Sequence, residues 1–266
     1  MKAPKKNLGQ NFLINRGICS RIADACAVAD DACVVEIGPG HGALTSLLAQ
    51  QVQKVVALEL DGDLIPELNE LAARCGNLEI LQCDALETDL NKLIEEHFAT
   101  DSPVVICGNL PYYITSPIIM KVLESRTRAQ RAVFMVQKEA AQRLCAAEGS
   151  RDCGASTLAV RWYSQPQILF DVSPGSFYPA PSVTSSVISL EILKRPPCEV
   201  KDEKHMFAII RAAFSQRRKT AANAIASGLG ISKADVGSAL EAIGLDPAVR
   251  AERMTLKDYA AFSDRL

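Results

Sequence analysis

Short apolar runs in this chain repeatedly end in a glycine or a single polar side chain, and helical spacing then takes over. Cys33–Ile37 runs into Gly38-Pro39-Gly40-His41-Gly42 and a helix from Ala43 to about Gln51. Val55–Leu58 ends in Glu59, and Leu64, Leu68 and Leu71 mark the helix that follows. Leu78–Leu81 leads to Cys83-Asp84-Ala85 and a helix near Leu90–Phe98, and Val104–Cys107 leads to Gly108-Asn109-Leu110-Pro111-Tyr112-Tyr113. Ala132–Val136 precedes a helix over Lys138–Ala147. This alternation predicts an open α/β sheet. Such sheets place their chemistry just beyond the carboxyl ends of the strands, so the residues at these ends are the candidate site.

A helix is expected before the first of these strands, over about Gly17–Val28, and another over Ala155–Tyr163. Ile168–Val172 and Val183–Ile192 read as an antiparallel hairpin closing the sheet edge. Lys194-Arg195-Pro196-Pro197 reads as a linker. Beyond it the pattern is helical, over about His205–Ser215, Thr220–Ser227, Lys233–Ile243 and Leu256–Phe262. The expected organisation is one α/β domain over residues 1–193, with a basic lead-in over 1–16, and a small all-helical domain over 194–266.

The turn after Cys107 is the most specific feature. Pro111 fixes its own φ and biases Leu110 towards an extended conformation, so the turn is stiff. Asn109 offers a neutral carbonyl oxygen that accepts from an amino group, and Tyr112 offers a flat face on which a base can stack. Together they suit a planar ring bearing an exocyclic amine; an ordinary turn, with Asn as a cap and Tyr as packing, is the competing reading. The glycine turn lets backbone approach a ligand. Its spacing is G-x-G-x-G with a proline inside, not G-x-G-x-x-G, which favours a nucleoside without phosphates over a dinucleotide and disfavours a nicotinamide oxidoreductase. Glu59, at the next strand tip, is placed to accept ribose hydroxyls, and Asp84 to accept an adenine amine; each could instead cap the following helix. In Phe177-Tyr178-Pro179-Ala180-Pro181, two prolines stiffen a loop that presents an exposed-looking Phe177, a possible clamp on a base held by Tyr112.

The formal net charge of −2 announces no nucleic-acid partner, but the charge is unevenly spread. Residues 1–30 carry five basic against two acidic side chains, and residues 192–219 carry eight against three. Lys5, Lys6, Arg217, Arg218 and Lys219 are the candidate phosphate contacts. Nine scattered cysteines without a Cys-x-x-Cys pair argue against a disulfide framework or zinc site and fit a reducing cytoplasm. His41, His97 and His205 are too dispersed for a metal site. The basic start lacks the apolar segment of a secretory leader, and no apolar run reaches transmembrane length.

These motifs, in this order, resemble the ribosomal RNA adenine N6-dimethyltransferases along essentially the whole chain. The matching stretches are Leu8–Leu13, Glu36–Thr45, Glu59, Asp84, Asn109–Tyr112, Gln137–Leu144, Phe177–Val183 and Phe214–Thr220. The resemblance implies a seven-stranded Rossmann-like sheet that binds S-adenosylmethionine, releases S-adenosylhomocysteine and needs no metal. It implies cofactor contacts at Asn11, Leu13, Gly38, Gly40, Glu59, Leu60, Asp84, Ala85 and Asn109, and chemistry at Asn109, Leu110, Pro111, Tyr112 and Phe177. The implied substrate is a pair of adjacent adenosines near the 3′ end of small-subunit rRNA in an immature subunit; a monomer is expected, although no residue pattern in the sequence speaks to oligomeric state. A relative acting on large-subunit rRNA and a non-catalytic ribosome-assembly factor remain as alternatives. The chain departs from the family at His41, where Leu is common and which is expected at the edge of the cofactor pocket. It departs again at Ser182 and Thr184, and at Ala221 and Ala222 after the basic triplet.

Overall fold

A computed structural model describes residues 4–5, 9–216 and 218–266. Lys6 and Arg217, two of the candidate phosphate contacts, and Leu8 lie outside the described residues.

Five parallel strands form most of the sheet: β2 (Cys33–Ile37), β3 (Lys54–Glu59), β4 (Leu78–Gln82), β5 (Val104–Asn109) and β6 (Arg131–Gln137). β9 (Ser185–Ile192) pairs antiparallel with β6, and β7 (Ser164–Val172) pairs antiparallel with β9. The seven-strand order is β4-β3-β2-β5-β6-β9-β7. The winding therefore reverses between β2 and β5, and that switch point opens the crevice in which ligands bind in sheets of this class. All five residues of β2 are buried, Glu36 among them. The sequence placed the start of β7 at Ile168, four residues late. Ser164-Gln165-Pro166-Gln167 is polar and contains a proline, yet it pairs with β9 because β7 lies at the sheet edge, where Pro is tolerated.

The strand ends are fixed by local rules. Asn15 caps α1 (Arg16–Cys26), its Oδ1 accepting from the Gly17 and Ile18 N–H groups. The buried face of α1 is Cys19, Ile22, Ala23 and Cys26, the spacing of one helical stripe. α2 (Thr45–Gln51), α3 (Ile65–Cys75), α4 (Leu90–His97), α5 (Thr115–Glu124) and α6 (Lys138–Leu144) follow β2, β3, β4, β5 and β6. Asp89, not Asp84, caps α4, accepting from Asn91 and Lys92 N–H, so the capping alternative for Asp84 falls away.

A second, two-stranded ribbon is absent from the sequence expectation. β1 (Phe12–Leu13) pairs antiparallel with β8 (Phe177–Tyr178), Phe12 opposite Tyr178 and Leu13 opposite Phe177. This burial corrects the reading of Phe177 as an exposed ring: it is 4% exposed and packs into the core with Leu13, Val172 and Val187, whereas Tyr178 is 54% exposed.

The chain divides into two compact units, Met1–Ala141 with Ser164–Leu193, and Gln142–Tyr163 with Lys194–Leu266. A single boundary at 193/194 therefore misplaces one segment. α7 (Ala155–Tyr163) buries Leu158 and Trp162 in the second unit's core with Met206, Ile210, Tyr259 and Phe262. That unit also holds α8 (Glu203–Phe214), α9 (Ala221–Leu229), α10 (Lys233–Ala242) and α11 (Leu256–Ser263). Ala221 and Ala222 are buried in its core and present nothing to a phosphate. All nine cysteines are free and five are buried; burial pushes the Cys19 thiol up to about 11, which makes it inert at neutral pH. No helix among the described residues is long and apolar enough to cross a membrane.

Candidate active site at the switch point

Gly108 makes the site possible. A Cβ there would stand 2.5 Å from the Ile37 carbonyl oxygen of the neighbouring strand, so only glycine lets β5 run beside β2 to its end. Beyond it, Asn109 closes the strand, Leu110 N–H bonds to the Met135 carbonyl at 3.3 Å, and the Pro111 carbonyl accepts from Ile114 N–H and the Thr115 hydroxyl. The turn is held on both sides.

Asn109 is oriented by the N-terminal segment. Its Nδ2 donates to the Asn11 carbonyl at 2.8 Å. A carbonyl can only accept, so the amide has one stable orientation, and Oδ1 is turned away from that bond as an acceptor. Tyr112 is half-buried, and its hydroxyl meets Ser185 Oγ at 2.8 Å, which pins the ring to β9. Burial raises the Tyr112 phenol, and the Ser185 bond pulls it back.

On the β2 side the glycine turn is tied to β3. Gly40 has φ +59°, and a Cβ there would meet the Phe12 ring at 2.9 Å. Its N–H donates to Glu59 Oε2 at 3.1 Å, while Glu59 Oε1 accepts from Asp61 N–H at 2.8 Å. Burial raises the Glu59 carboxyl, and the Asp61 and Gly40 amides oppose that rise. Asp84 Oδ1 accepts from Leu86 N–H at 2.8 Å, a local turn that fixes the side chain at the end of β4.

These residues converge. One cavity is lined by Asn11, Gly38, Gly40, Glu59, Leu60, Asp84, Ala85, Asn109, Leu110, Pro111 and Tyr112. Leu13 instead lines an adjoining cavity with Glu36, His41 and Asn109. Phe177 lines neither of the two. Lys5 also departs from expectation. Its ammonium is held by Asp61 at 2.7 Å and Asp63 at 2.5 Å, so it clips the N-terminal segment to the β3 tip rather than presenting a free cation. Burial alone would raise the Asp61 carboxyl, but bonds from Lys5 and Gln10 hold it below the usual range. Arg218 and Lys219 are exposed at the junction of α8 and α9.

Sequence reasoning missed Glu36 as an individual group. It is 2% exposed, and burial, with the Glu59 charge adding to it, pushes its carboxyl up to about 7. The signal was an acid inside an otherwise apolar strand. The folded pKa is raised, so this group's stabilisation is complete below the ordinary value of 4.5 and is lost as pH climbs to about 7. The loss amounts to as much as about 3 kcal/mol. In cofactor-free protein, Glu36→Gln should therefore gain stability relative to the parent as pH rises from 4.5 to 7. Paired urea titrations across that range check this; a constant difference contradicts it.

No group of three or more His, Cys, Asp or Glu among the described residues can hold a metal. The donor set instead suits a nucleoside bearing a charged tail: acids at two strand tips, a glycine turn and an amide acceptor. Open space lies where a Gly38 Cβ would stand. A mixed, mostly parallel sheet wound in this order around such a crevice is that of a Rossmann-like methyltransferase. Two solved structures share it over nearly the whole chain. A dimethyladenosine transferase from Plasmodium falciparum matches at TM-score 0.78 and 25% identity, covering 94% of this chain and 95% of that one. The 23S rRNA methyltransferase ErmE matches at TM-score 0.71 and 25% identity, covering 96% and 99%.

Sequence comparison is more specific. The family described as ribosomal RNA adenine dimethylase matches residues 1–266. Relatives named ribosomal RNA small subunit methyltransferase A are 43% identical over 259 residues in Alkaliphilus metalliredigens, covering 97% of this chain and 90% of that one, and 42% identical over 265 residues in Geobacillus thermodenitrificans, covering 98% and 90%. The chain belongs to the ribosomal RNA adenine dimethylase family and is a methyltransferase enzyme.

Proposed function

We propose that this enzyme transfers methyl groups from S-adenosylmethionine to N6 of two adjacent adenosines in small-subunit rRNA, twice on each, during subunit maturation. The observation that carries the chemistry is the Asn109 amide, locked by Asn11 so that its oxygen faces away as an acceptor beside a pinned Tyr112. The names of the 40–43% identical relatives support the small subunit as the substrate over the large-subunit alternative.

Glu59 would hold the ribose hydroxyls, Asp84 the adenine amine and the glycine turn the tail of the cofactor. When bound, the cofactor supplies an electrophilic sulfonium methyl. Adenine N6 is a weak nucleophile because its lone pair is delocalised into the ring. Asn109 Oδ1 and the Leu110 carbonyl accept the two amino hydrogens and so localise that lone pair. Tyr112 carries one face of the base after it leaves the RNA stack. Phe177, packed in the core, is not assigned to the other face. Asparagine does this without the desolvation cost of a buried anion. The methylated nitrogen is acidic enough to lose its proton to water, so no residue is assigned as a base. The protein acts as a monomer in the cytoplasm.

The test is labelled methyl transfer to undermethylated small and large subunits, followed by digestion to nucleosides. N6,N6-dimethyladenosine from small subunits alone is expected; label in large subunits, or on another atom, overturns the assignment. Phosphate contacts are assigned to Arg217, Arg218 and Lys219. Replacing all three by Ala should lower the slope of log binding constant against log salt by about 2, at about 0.7 per phosphate contact. An unchanged slope removes them from the interface.

A further inference from the structure

Successive side chains of a strand point to opposite faces, so the burial of Phe177 turns Tyr178 to the outside. Tyr178 is 54% exposed, and Val183, near the other end of the same loop, is 40% exposed. A lone exposed ring needs no explanation; the position of this one does. β8 pairs with β1, which follows directly on Asn11, the residue that aims Asn109. From Tyr178 the chain runs through Pro179 and Pro181 to Ser185, the residue that holds Tyr112. The loop therefore starts beside one lock of the base site, ends at the other, and forms its rim.

No residue from Phe177 to Thr184 is charged, the departures at Ser182 and Thr184 included. Lys138 N–H donates to the Thr184 carbonyl at 3.0 Å, but its ammonium is paired with Asp171 at 2.5 Å. The loop thus offers no grip for a phosphate. It offers an aromatic face on a segment that two prolines stiffen, so little order is lost on binding. Tyr113, also exposed, is placed otherwise: it lines the larger cavity, and its ring lies against Gly9. The substrate is a polymer, so a nucleotide adjoining the everted adenosine must cross the rim. Eversion also strips that nucleotide's base of a stacking neighbour and leaves it with a bare face.

We propose that Tyr178 stacks on the base adjoining the target adenosine and takes the place of the neighbour that base loses. This rests on the reading of Asn109 and Tyr112 as the holder of an everted adenine. Tyr178 touches no reacting atom; it binds RNA and favours the everted state. Stacking of one base on an aromatic ring changes affinity about 10-fold. No charge takes part, so that factor is the same at every salt concentration.

Three RNA hairpins isolate the contact by fluorescence anisotropy. Each carries one target adenosine in its loop; the first has intact neighbours, the second an abasic nucleotide on the 5′ side, the third an abasic nucleotide on the 3′ side. Tyr178→Ala should weaken the intact hairpin about 10-fold and leave one of the two abasic hairpins within about two-fold, since the base it stacks on is already missing there. That unchanged binding also shows that the variant is folded. Tyr178→Phe, which keeps the ring, should restore the loss. Equal weakening of all three hairpins, or of none, overturns the assignment, as does a Phe variant no better than Ala or a loss that varies with salt. Weakened binding of whole small subunits with every hairpin unaffected also overturns it, since the ring then meets a protein. Parent protein that binds the intact hairpin no better than one abasic at the target itself would instead remove the everted-adenine reading on which this one stands.

Discussion

Asn109→Ala should lower methyl transfer by about 10³-fold while cofactor affinity stays within a few-fold. Removing one preorganised hydrogen-bonding group from a reacting centre costs about 10²–10³ in turnover. Here the group also loses its tether, because the Nδ2 bond to the Asn11 carbonyl goes with it. Turnover should therefore sit at the upper end of that range, about 4 kcal/mol in barrier height. The nucleoside arm is held by groups on other strands, Glu59 on β3 and Asp84 beyond β4, so calorimetric binding of S-adenosylhomocysteine should persist. Asn109→Asp is the sharper variant. A carboxylate cannot donate to Asn11, so the side chain loses its fixed orientation and places an anion beside the base. It should be as inactive as Ala although it retains an acceptor oxygen. Activity within 10-fold of the parent in either variant would remove Asn109 from the chemistry.

Glu59→Ala should act on binding instead. The carboxylate bridges Gly40 N–H and Asp61 N–H, so its loss unpairs two amides at the crevice floor and frees the glycine turn, as well as removing the acceptor for the ribose. Cofactor affinity should fall about 10²-fold, consistent with the loss of one charge-assisted bond and partial loss of preorganisation. Turnover at saturating cofactor should fall less than 10-fold, since nothing at Asn109 or Tyr112 changes. Glu59→Gln should fall between parent and Ala, because its single acceptor oxygen can serve one amide but not both. The split between KM for the cofactor and kcat distinguishes this from Asn109. An equal loss in both constants would mean that Glu59 supports the reacting centre rather than the ligand.

The parallel strands were legible because their apolar runs are short, continuous and punctuated by glycine or acid, a pattern that burial on both faces imposes. Elements at the margin were not. The edge strand β7 begins in Ser-Gln-Pro-Gln, where half-exposed pairing leaves no apolar signature. The β1–β8 ribbon has two residues in each strand, too few for a period to show, yet it buries Phe177 and joins the N-terminal segment to the proline loop. α7 has the same apolar spacing whichever core receives it, so its assignment to the second unit depends on distant residues such as Met206 and Phe262. In the site, most of the residues that the sequence singled out at the strand ends line one cavity. Charge was the weaker guide: Lys5 looked like a phosphate contact and is spent on Asp61 and Asp63. The locks themselves, Asn11 on Asn109 and Ser185 on Tyr112, join residues 98 and 73 positions apart, and no local pattern encodes them.

The central claim is that an amide oxygen, aimed by a backbone carbonyl, accepts the amine of an unstacked adenine lying on Tyr112. The distance between adenosine N6 and Asn109 Oδ1, in a crystal of this protein with S-adenosylhomocysteine and adenosine, tests it most directly. A separation of about 2.7–3.2 Å, with Nδ2 still on the Asn11 carbonyl, is the expected result. Adenosine seated away from Tyr112, or Asn109 turned so that Nδ2 faces the base, would contradict it.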